Sequence, residues 1–337
     1  MFRPLKQPVK NVVSGLIGEE RLTAYNRYAR QTAGAYYQHF LLRCYGRGFY
    51  NFWRVPSFRN TWFWRFLDRP RLAKLSKDRR IAFISVFGDP RLISRINADL
   101  RVFFTGENLD FHPSYRDHLF GSVDLSLGFD QLQRSDYLRF PIWLLLCFDP
   151  GMQLADITER LRQWDRNRLD LLQRPAMVAS LVASHDPSGS RRRIADLFDQ
   201  VGTVRYGGAF RNVGERVPPG QAYKHRFIRQ YPFHICPENS QRPGYTTEKL
   251  FEAVAAGCIP IYRGAEGAVE PDIFNQDAII AYSPGEETVF RQRLRSLRDD
   301  PHQLRDLRGI PPFRPDAAEH IYNFYLRLEE KLFDLLG

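Results

Sequence analysis

PENSQRPGYTTEKLFEAVAAGCIPIYRG, Pro237 to Gly264, is the stretch of this 337-residue chain on which the reading of its fold turns. An apolar run, Phe233 to Cys236, precedes it and reads as a strand. A polar Glu238-Asn239-Ser240 loop follows, and a helix is expected from Thr247 to Ala256, started by Thr246 or Thr247, residues suited to N-capping. Cys258 to Tyr262 is the next strand, so the order is strand, loop, helix, strand. In parallel α/β sheets ligands bind at the carboxyl ends of strands, where the N–H groups and positive end of the following helix favour an anion. Lys249 in the first helical turn opposes the macrodipole by about 0.3–1 kcal/mol. A bound diphosphate would reverse that sign. Thr-Thr-Glu-Lys also fits a capped surface helix start with a solvated lysine, and spacing alone favours that plainer reading.

Working outward, short β-rich runs alternate with helical stretches from Arg80 onward. Ile81 to Phe87, Arg101 to Phe104 and Val123 to Gly128 read as strands, and Leu154 to Leu172 as an amphipathic helix. Beyond a punctuating proline, Pro175, a second series begins with the strand Ala176 to Ala183. It continues through a helix at Arg191 to Val201, a strand at Val204 to Gly207 and a helix at Ala222 to Gln230. After the opening stretch comes a strand at Asp277 to Tyr282 and a charged helix from Glu286. Such alternation predicts parallel, doubly wound sheets in two Rossmann-like halves facing a cleft. The expected domains are a basic, aromatic-rich N-terminal helical extension over 1–75, a Rossmann-like domain over 76–174, and a second over 175–337.

The basicity is local. Residues 1–80 hold 17 Lys and Arg against 4 Asp and Glu, whereas the remainder carries 32 against 34. From Arg21 to Leu67 there is no acid at all, and Tyr37, Phe40, Phe49, Trp53, Trp62 and Phe66 are among the aromatics that lie between the arginines. That mixture suits an anionic or interfacial partner, or an aromatic core with a basic rim. Confinement of the charge to one segment, with no nucleic-acid motif beside it, argues against a nucleic-acid partner. The longest apolar run, Ile142 to Phe148, is far below the roughly 20 residues that span a bilayer. No apolar h-region follows the basic N-terminus. A cytoplasmic location is expected, with the basic segment suited to peripheral contact at the inner face of a membrane. The four cysteines are scattered and indicate neither a zinc site nor a disulfide framework.

Glu238-Asn239-Ser240, then Gly244 to Leu250 (GYTTEKL), then Ala253 to Gly264 resembles the signature of the α-1,3/4-fucosyltransferase family. Upstream, Phe103 to Asn108 (FFTGEN) and Leu127 to Pro141 (LGFD…YLRFP) look like its acceptor-domain motifs, in the expected order. The resemblance covers roughly residues 80 to 285. It implies a GT-B architecture and inverting transfer of fucose from GDP-fucose to a hydroxyl of an oligosaccharide or lipid-linked glycan. A relative using another activated sugar, or an inactive glycan-binding relative, is the alternative. By position, the resemblance implies Lys249 and Arg191 as the cations that neutralise the diphosphate, and Glu238, Asn239, Tyr245 and Glu248 as contacts to nucleotide or sugar. Glu107 is implied as the general base, and it follows a strand whose carboxyl end would face the cleft. Arg191, Arg192 and Arg193 are consecutive, so a one-residue slip changes the choice of cation. Pro237 stands where the family often carries an aromatic residue, and a small shift of the loop is expected. No D-x-D occurs in the chain, so no cofactor is expected beyond the donor, with a divalent metal at most stimulating product release.

Overall fold

The computed structural model describes residues 37–52, 58–168, 174, 177–264 and 267–337. The chain divides into two compact units. One takes the described residues up to Gly128, with Leu132–Leu138 and Arg327–Gly337; the other takes Phe129–Gln131 and Arg139–Leu326.

The first unit is built on strands β1 (Arg47–Tyr50), β2 (Ile81–Ile84), β3 (Leu100–Phe104), β4 (Leu125–Gly128) and β5 (Tyr137–Arg139). They lie in the order β1-β2-β3-β4-β5, and the first four are parallel, with Phe49 opposite Phe83 and Ile84 opposite Phe103. Every residue of β1, β2 and β4 is buried, as expected of a sheet covered on both faces. The sheet therefore begins at Arg47, not near Ile81 as the sequence suggests. Helix α1 (Trp62–Phe66) is capped by Thr61, whose hydroxyl accepts from the Trp64 N–H. It lays Phe63 against Phe83 with ring centroids 4.9 Å apart and against Phe104 at 5.2 Å.

The stretch from Arg47 to helix α2 (Pro70–Ser76) is thus part of this core, which corrects its assignment to a separate 1–75 extension. Part of its charge is spent inside as well. Arg47 is buried, lies 4.8 Å over the Trp64 ring, and donates to Trp64 O and Asp68 Oδ1. Buried Arg69 pairs with Glu329. Residues 1–36 and 53–57, including Trp53, lie outside the described residues.

In the second unit, α3 (Ile142–Cys147) and α4 (Leu154–Arg166) precede β6 (Val178–Leu181), α5 (Ser190–Phe198), β7 (Thr203–Tyr206), α6 (Gln221–Ile228) and β8 (Phe233–Ile235). Then follow α7 (Glu248–Ala255), β9 (Ile259–Tyr262), β10 (Ile280–Ala281), α8 (Glu287–Asp299), α9 (Pro301–Gly309) and α10 (Ala317–Leu336). The sheet is wholly parallel, in the order β10-β9-β8-β6-β7. Ile194 and Phe198 of α5 and Leu294 and Leu297 of α8 join Phe233, Ile259 and Ile261 in one buried cluster.

From β6 the chain adds β7 on one side and then β8 on the other. The winding direction therefore reverses between β6 and β8, and a crevice opens at their carboxyl ends. Helix α7 stops at Gly257, whose φ of +73° permits the left-handed turn. The Cys258 N–H then reaches Ala253 O and the Gly257 N–H reaches Val254 O. The boundary between units falls at Gly128/Phe129, Leu138/Arg139 and Leu326/Arg327, rather than near Pro175, and the end of α10 goes with the first unit rather than with 175–337.

Candidate active site

Apart from Glu107, the residues singled out from the sequence lie on the segments that follow β6 and β8, and one bond joins the two. Arg191, the second residue of α5, is buried and donates from Nη2 to Asn239 Oδ1 at 2.6 Å and from Nη1 to His185 O. Asp186 caps this helix, accepting the Arg191 and Arg192 N–H groups at 3.1 and 2.9 Å. Burial lowers the Arg191 pKa, against the raising influence of Asp186 and Glu238. Arg192 and Arg193 are exposed, so of the three arginines it is Arg191 that meets the β8 loop.

On the β8 side the start of α7 is occupied by a protein carboxylate. Thr247 makes no side-chain cap. Glu238, with its side chain wholly buried, accepts the Thr247 N–H at 2.8 Å and hydroxyl at 2.7 Å, the Lys249 ammonium at 2.9 Å and the Tyr262 hydroxyl at 3.2 Å. Four donors on one carboxylate satisfy it in a dry place, where an unpaired charge would cost several kcal/mol. Burial acts to lower the Lys249 pKa, but the charges of Glu238 and Glu248 and the Glu238 hydrogen bond outweigh it and hold the ammonium above its usual value. The first-turn lysine that opposes the helix dipole is therefore offset by Glu238, and no bound ligand is required to reverse its sign. Nor is it a solvated surface lysine.

Tyr245 is buried, its ring edge-on to Phe129 at 4.9 Å. Asn239 is exposed and Glu248 partly so. Pro237 leaves the strand end intact: the Cys236 N–H pairs with Ile261 O and the Glu238 N–H with Arg263 O.

Residues that sequence reasoning missed complete the site. Arg263, directly after β9, donates to Ser190 Oγ at the start of α5 and to Gln241 Oε1. Its position one residue past a buried strand of the same sheet was the available signal. The segment LGFD…YLRFP, read as an acceptor-domain motif, contributes Phe129, Asp130 and Arg139 to the second unit. Asp130 holds Arg242 by two bonds of 2.9 Å. Arg139 donates to Phe129 O at 3.2 Å and to Glu270 Oε1 at 2.6 Å. Gly244, at φ +79°, lies so close that a Cβ there would stand 2.6 Å from Phe129 O. The β8 loop is thus clamped from Arg242 to Tyr245.

Glu107 lies in the first unit, three residues past β3. The Thr105 hydroxyl accepts the Glu107 N–H and donates to Glu107 O, both at 3.0 Å, and Asn108 Oδ1 accepts the Asp110 N–H. The turn is fixed through its backbone, while the Glu107 carboxylate is partly exposed and makes no hydrogen bond or ion pair among the described residues. No three His, Cys, Asp or Glu side chains converge to hold a metal among the described residues, and no described helix is long and apolar enough to cross a membrane.

Two family models match in sequence order. The N-terminal domain of α-(1,3)-fucosyltransferase FucT matches residues 48–146, and the C-terminal domain of glycosyltransferase family 10 (fucosyltransferase) matches residues 171–306. The α-(1,3)-fucosyltransferase FucT of Helicobacter pylori is 30% identical, with 64% of this chain and 49% of that protein covered. The chain thus spans about half the length of the curated relative it matches. A crystal structure of an α1,3-fucosyltransferase with GDP aligns with a TM-score of 0.56 at 22% identity, over 84% of this chain and 89% of that one. One with GDP-fucose aligns at 0.50 and 24% identity, over 74% and 78%. These likenesses show the fold, two Rossmann-like units of the GT-B class. By its matched domains the chain belongs to the fucosyltransferases of glycosyltransferase family 10.

Proposed function

We propose that the protein transfers fucose from GDP-fucose, with inversion, to a hydroxyl of a glycan, through an α-1,3 or α-1,4 linkage to a GlcNAc-type residue of a surface glycan or lipopolysaccharide. The observation that carries this reading is that two cations, buried Arg191 and largely buried Lys249, stand on the segments that follow β6 and β8, where the second sheet reverses direction. A departing nucleoside diphosphate needs such charge, preorganised and shielded from water. In one in-line displacement the acceptor oxygen bonds to C1 of fucose as the C1 to β-phosphate oxygen bond breaks. The acceptor proton passes to the Glu107 carboxylate, for which no donor among the described residues competes, and GDP leaves with its charge met by Lys249 and Arg191. Asn239, Tyr245 and Glu248 line the donor, and Glu238 sets Lys249. Divalent metal has at most a stimulatory role.

The test is GDP-fucose offered with an oligosaccharide array, with product linkage and anomeric configuration read by NMR. Slow release of fucose without acceptor is expected as well. Preferential turnover of another nucleotide sugar, or no turnover by folded protein, would overturn the reading.

A second reading concerns the partner surface. Tyr37, Phe40 and Tyr45 of the helical segment 37–45 are exposed by 51%, 56% and 45%, beside exposed Arg43. Aromatics and arginine together suit the headgroup region of an anionic leaflet, where each basic residue gains about 1 kcal/mol. Peripheral docking there would bring the enzyme to a lipid-linked acceptor at the cytoplasmic face. The aromatics Phe49, Tyr50, Trp62, Phe63 and Phe66 take no part, being buried in the first unit.

A further inference from the structure

The second unit holds a cavity of about 350 Å³ away from the strand ends, between α4, α6 and α7. That volume is in the range of small-molecule sites, roughly 300–1,000 Å³. Its wall is aromatic and aliphatic: Trp164 and Phe251 meet edge to face at 6.4 Å, Ile228 lies beside them, and Leu146 is 41% exposed.

Among the polar groups the charges do not balance. Glu252 is matched, receiving Lys224 Nζ and Gln221 Nε2. Arg160 is not. Its Nη1 donates to Cys147 O at 2.5 Å and its guanidinium lies 6.0 Å from the Phe148 centroid, but among the described residues no carboxylate pairs with it. A guanidinium has five N–H donors in a planar fork that fits a carboxylate bidentately. The cavity therefore offers a flat apolar wall together with one uncompensated cation.

We propose that this cavity is a second ligand site, for a small aromatic carboxylate held by Arg160 and stacked against Trp164. The cavity borders the second turn and the end of α7, through Phe251, Glu252 and Ala255, whereas the proposed donor contacts Glu248 and Lys249 are in the first turn. The proposal does not depend on the donor reading.

Benzoate, benzyl alcohol and benzylamine, titrated separately into the full chain and followed by ligand-observed NMR, test it. Benzoate should bind best. Arg160→Met should weaken benzoate by about tenfold or more while leaving benzyl alcohol unchanged, as loss of a charge-assisted bond requires. Arg160→Lys, which keeps the charge without the fork, should fall between. Leu146→Trp, which fills the cavity without touching Arg160, should weaken benzoate and benzyl alcohol alike and covers the case in which the Arg160 variants do not fold. No benzoate binding at about 20 mM, a concentration well above the dissociation constant of a millimolar site, would overturn the proposal. So would equal affinity for benzylamine, indifference to Arg160→Met in folded protein, or displacement of benzoate by GDP.

Discussion

The two sheets are built mainly of parallel strands but order them differently. In the first, β1 to β5 follow one another across the sheet; in the second, β8 returns to the far side of β6. A sheet that winds one way sends successive loops the same way, whereas a reversal parts two neighbouring loops and leaves a crevice. The chemistry differs accordingly. At the reversal Arg191 and Lys249 are tied down by Asn239 and Glu238, and the Arg242 to Tyr245 turn is clamped to Asp130, Phe129 and Arg139. At the end of β3 the backbone is fixed, but among the described residues no donor engages the Glu107 carboxylate. A group that must neutralise a leaving charge gains from being fixed beforehand, and a group that must accept a proton gains from an open lone pair.

The sharpest way to break this contrast is Glu107→Gln, which keeps the shape and removes the basic oxygen. Transfer should fall by about 10²–10⁴ with GDP affinity unchanged. Loss of GDP binding instead would make Glu107 a donor-side residue.

Lys249→Ala comes next. It should cost about 2–4 kcal/mol of transition-state stabilisation and weaken GDP binding. It should also lower folding stability, by about 3 kcal/mol, because Glu238 is left buried without its cation. Calorimetric GDP titration and thermal melts read the two effects separately. Full GDP affinity in a folded variant would remove the diphosphate from this helix.

Third, Arg191→Met should weaken GDP by about 1.5–3 kcal/mol, the worth of charged hydrogen bonds, while Arg192→Met should do almost nothing. The reverse order would mean that the exposed arginine turns inward on binding.

At the first unit, Tyr37→Ser and Phe40→Ser should each weaken sedimentation with anionic vesicles by about 1 kcal/mol, the worth of half-burying an aromatic ring. These substitutions spare β1, which a deletion of residues 1–75 would remove. Equal partitioning of the parent protein onto neutral and anionic vesicles would sink the docking idea.

The smallest effect is expected of chelator. EDTA should leave most activity, since arginine and lysine can meet the leaving charge, and complete metal-reversible loss would point to a set of carboxylate ligands for a required metal.

Much of the second unit was legible because its strands are short apolar runs bounded by Gly, Pro and cap residues. Phe233 to Ile235, the helix behind Thr247, and Ile259 to Tyr262 lie within a residue of their expected places. The first unit was harder. Arg47 and Arg69 look like surface charge in a count, yet both are buried against carboxylates. Phe49, Phe63 and Phe83 form a stack that only three-dimensional proximity reveals. The apolar run Ile142 to Phe148 has no periodicity that tells strand from helix, and Ile142–Cys147 forms a helix. At the site, residue types were legible but partnerships were not. Nothing in Glu238-Asn239-Ser240 says that its glutamate turns back to satisfy a lysine eleven residues on.

Residues Arg327–Gly337 belong to the first unit, where Leu332 and Leu336 are buried, Glu329 meets Arg69 and Arg79 donates to Leu336 O. Domains usually fold as they emerge from the ribosome, the N-terminal one first. Here the unit that is begun first lacks part of its core until position 336 has been translated, by which time every strand of the other sheet has been made. The second unit can therefore reach its native sheet earlier in synthesis, and Arg69, Arg71 and Arg79 of the first unit wait for the end of α10 to supply their partners.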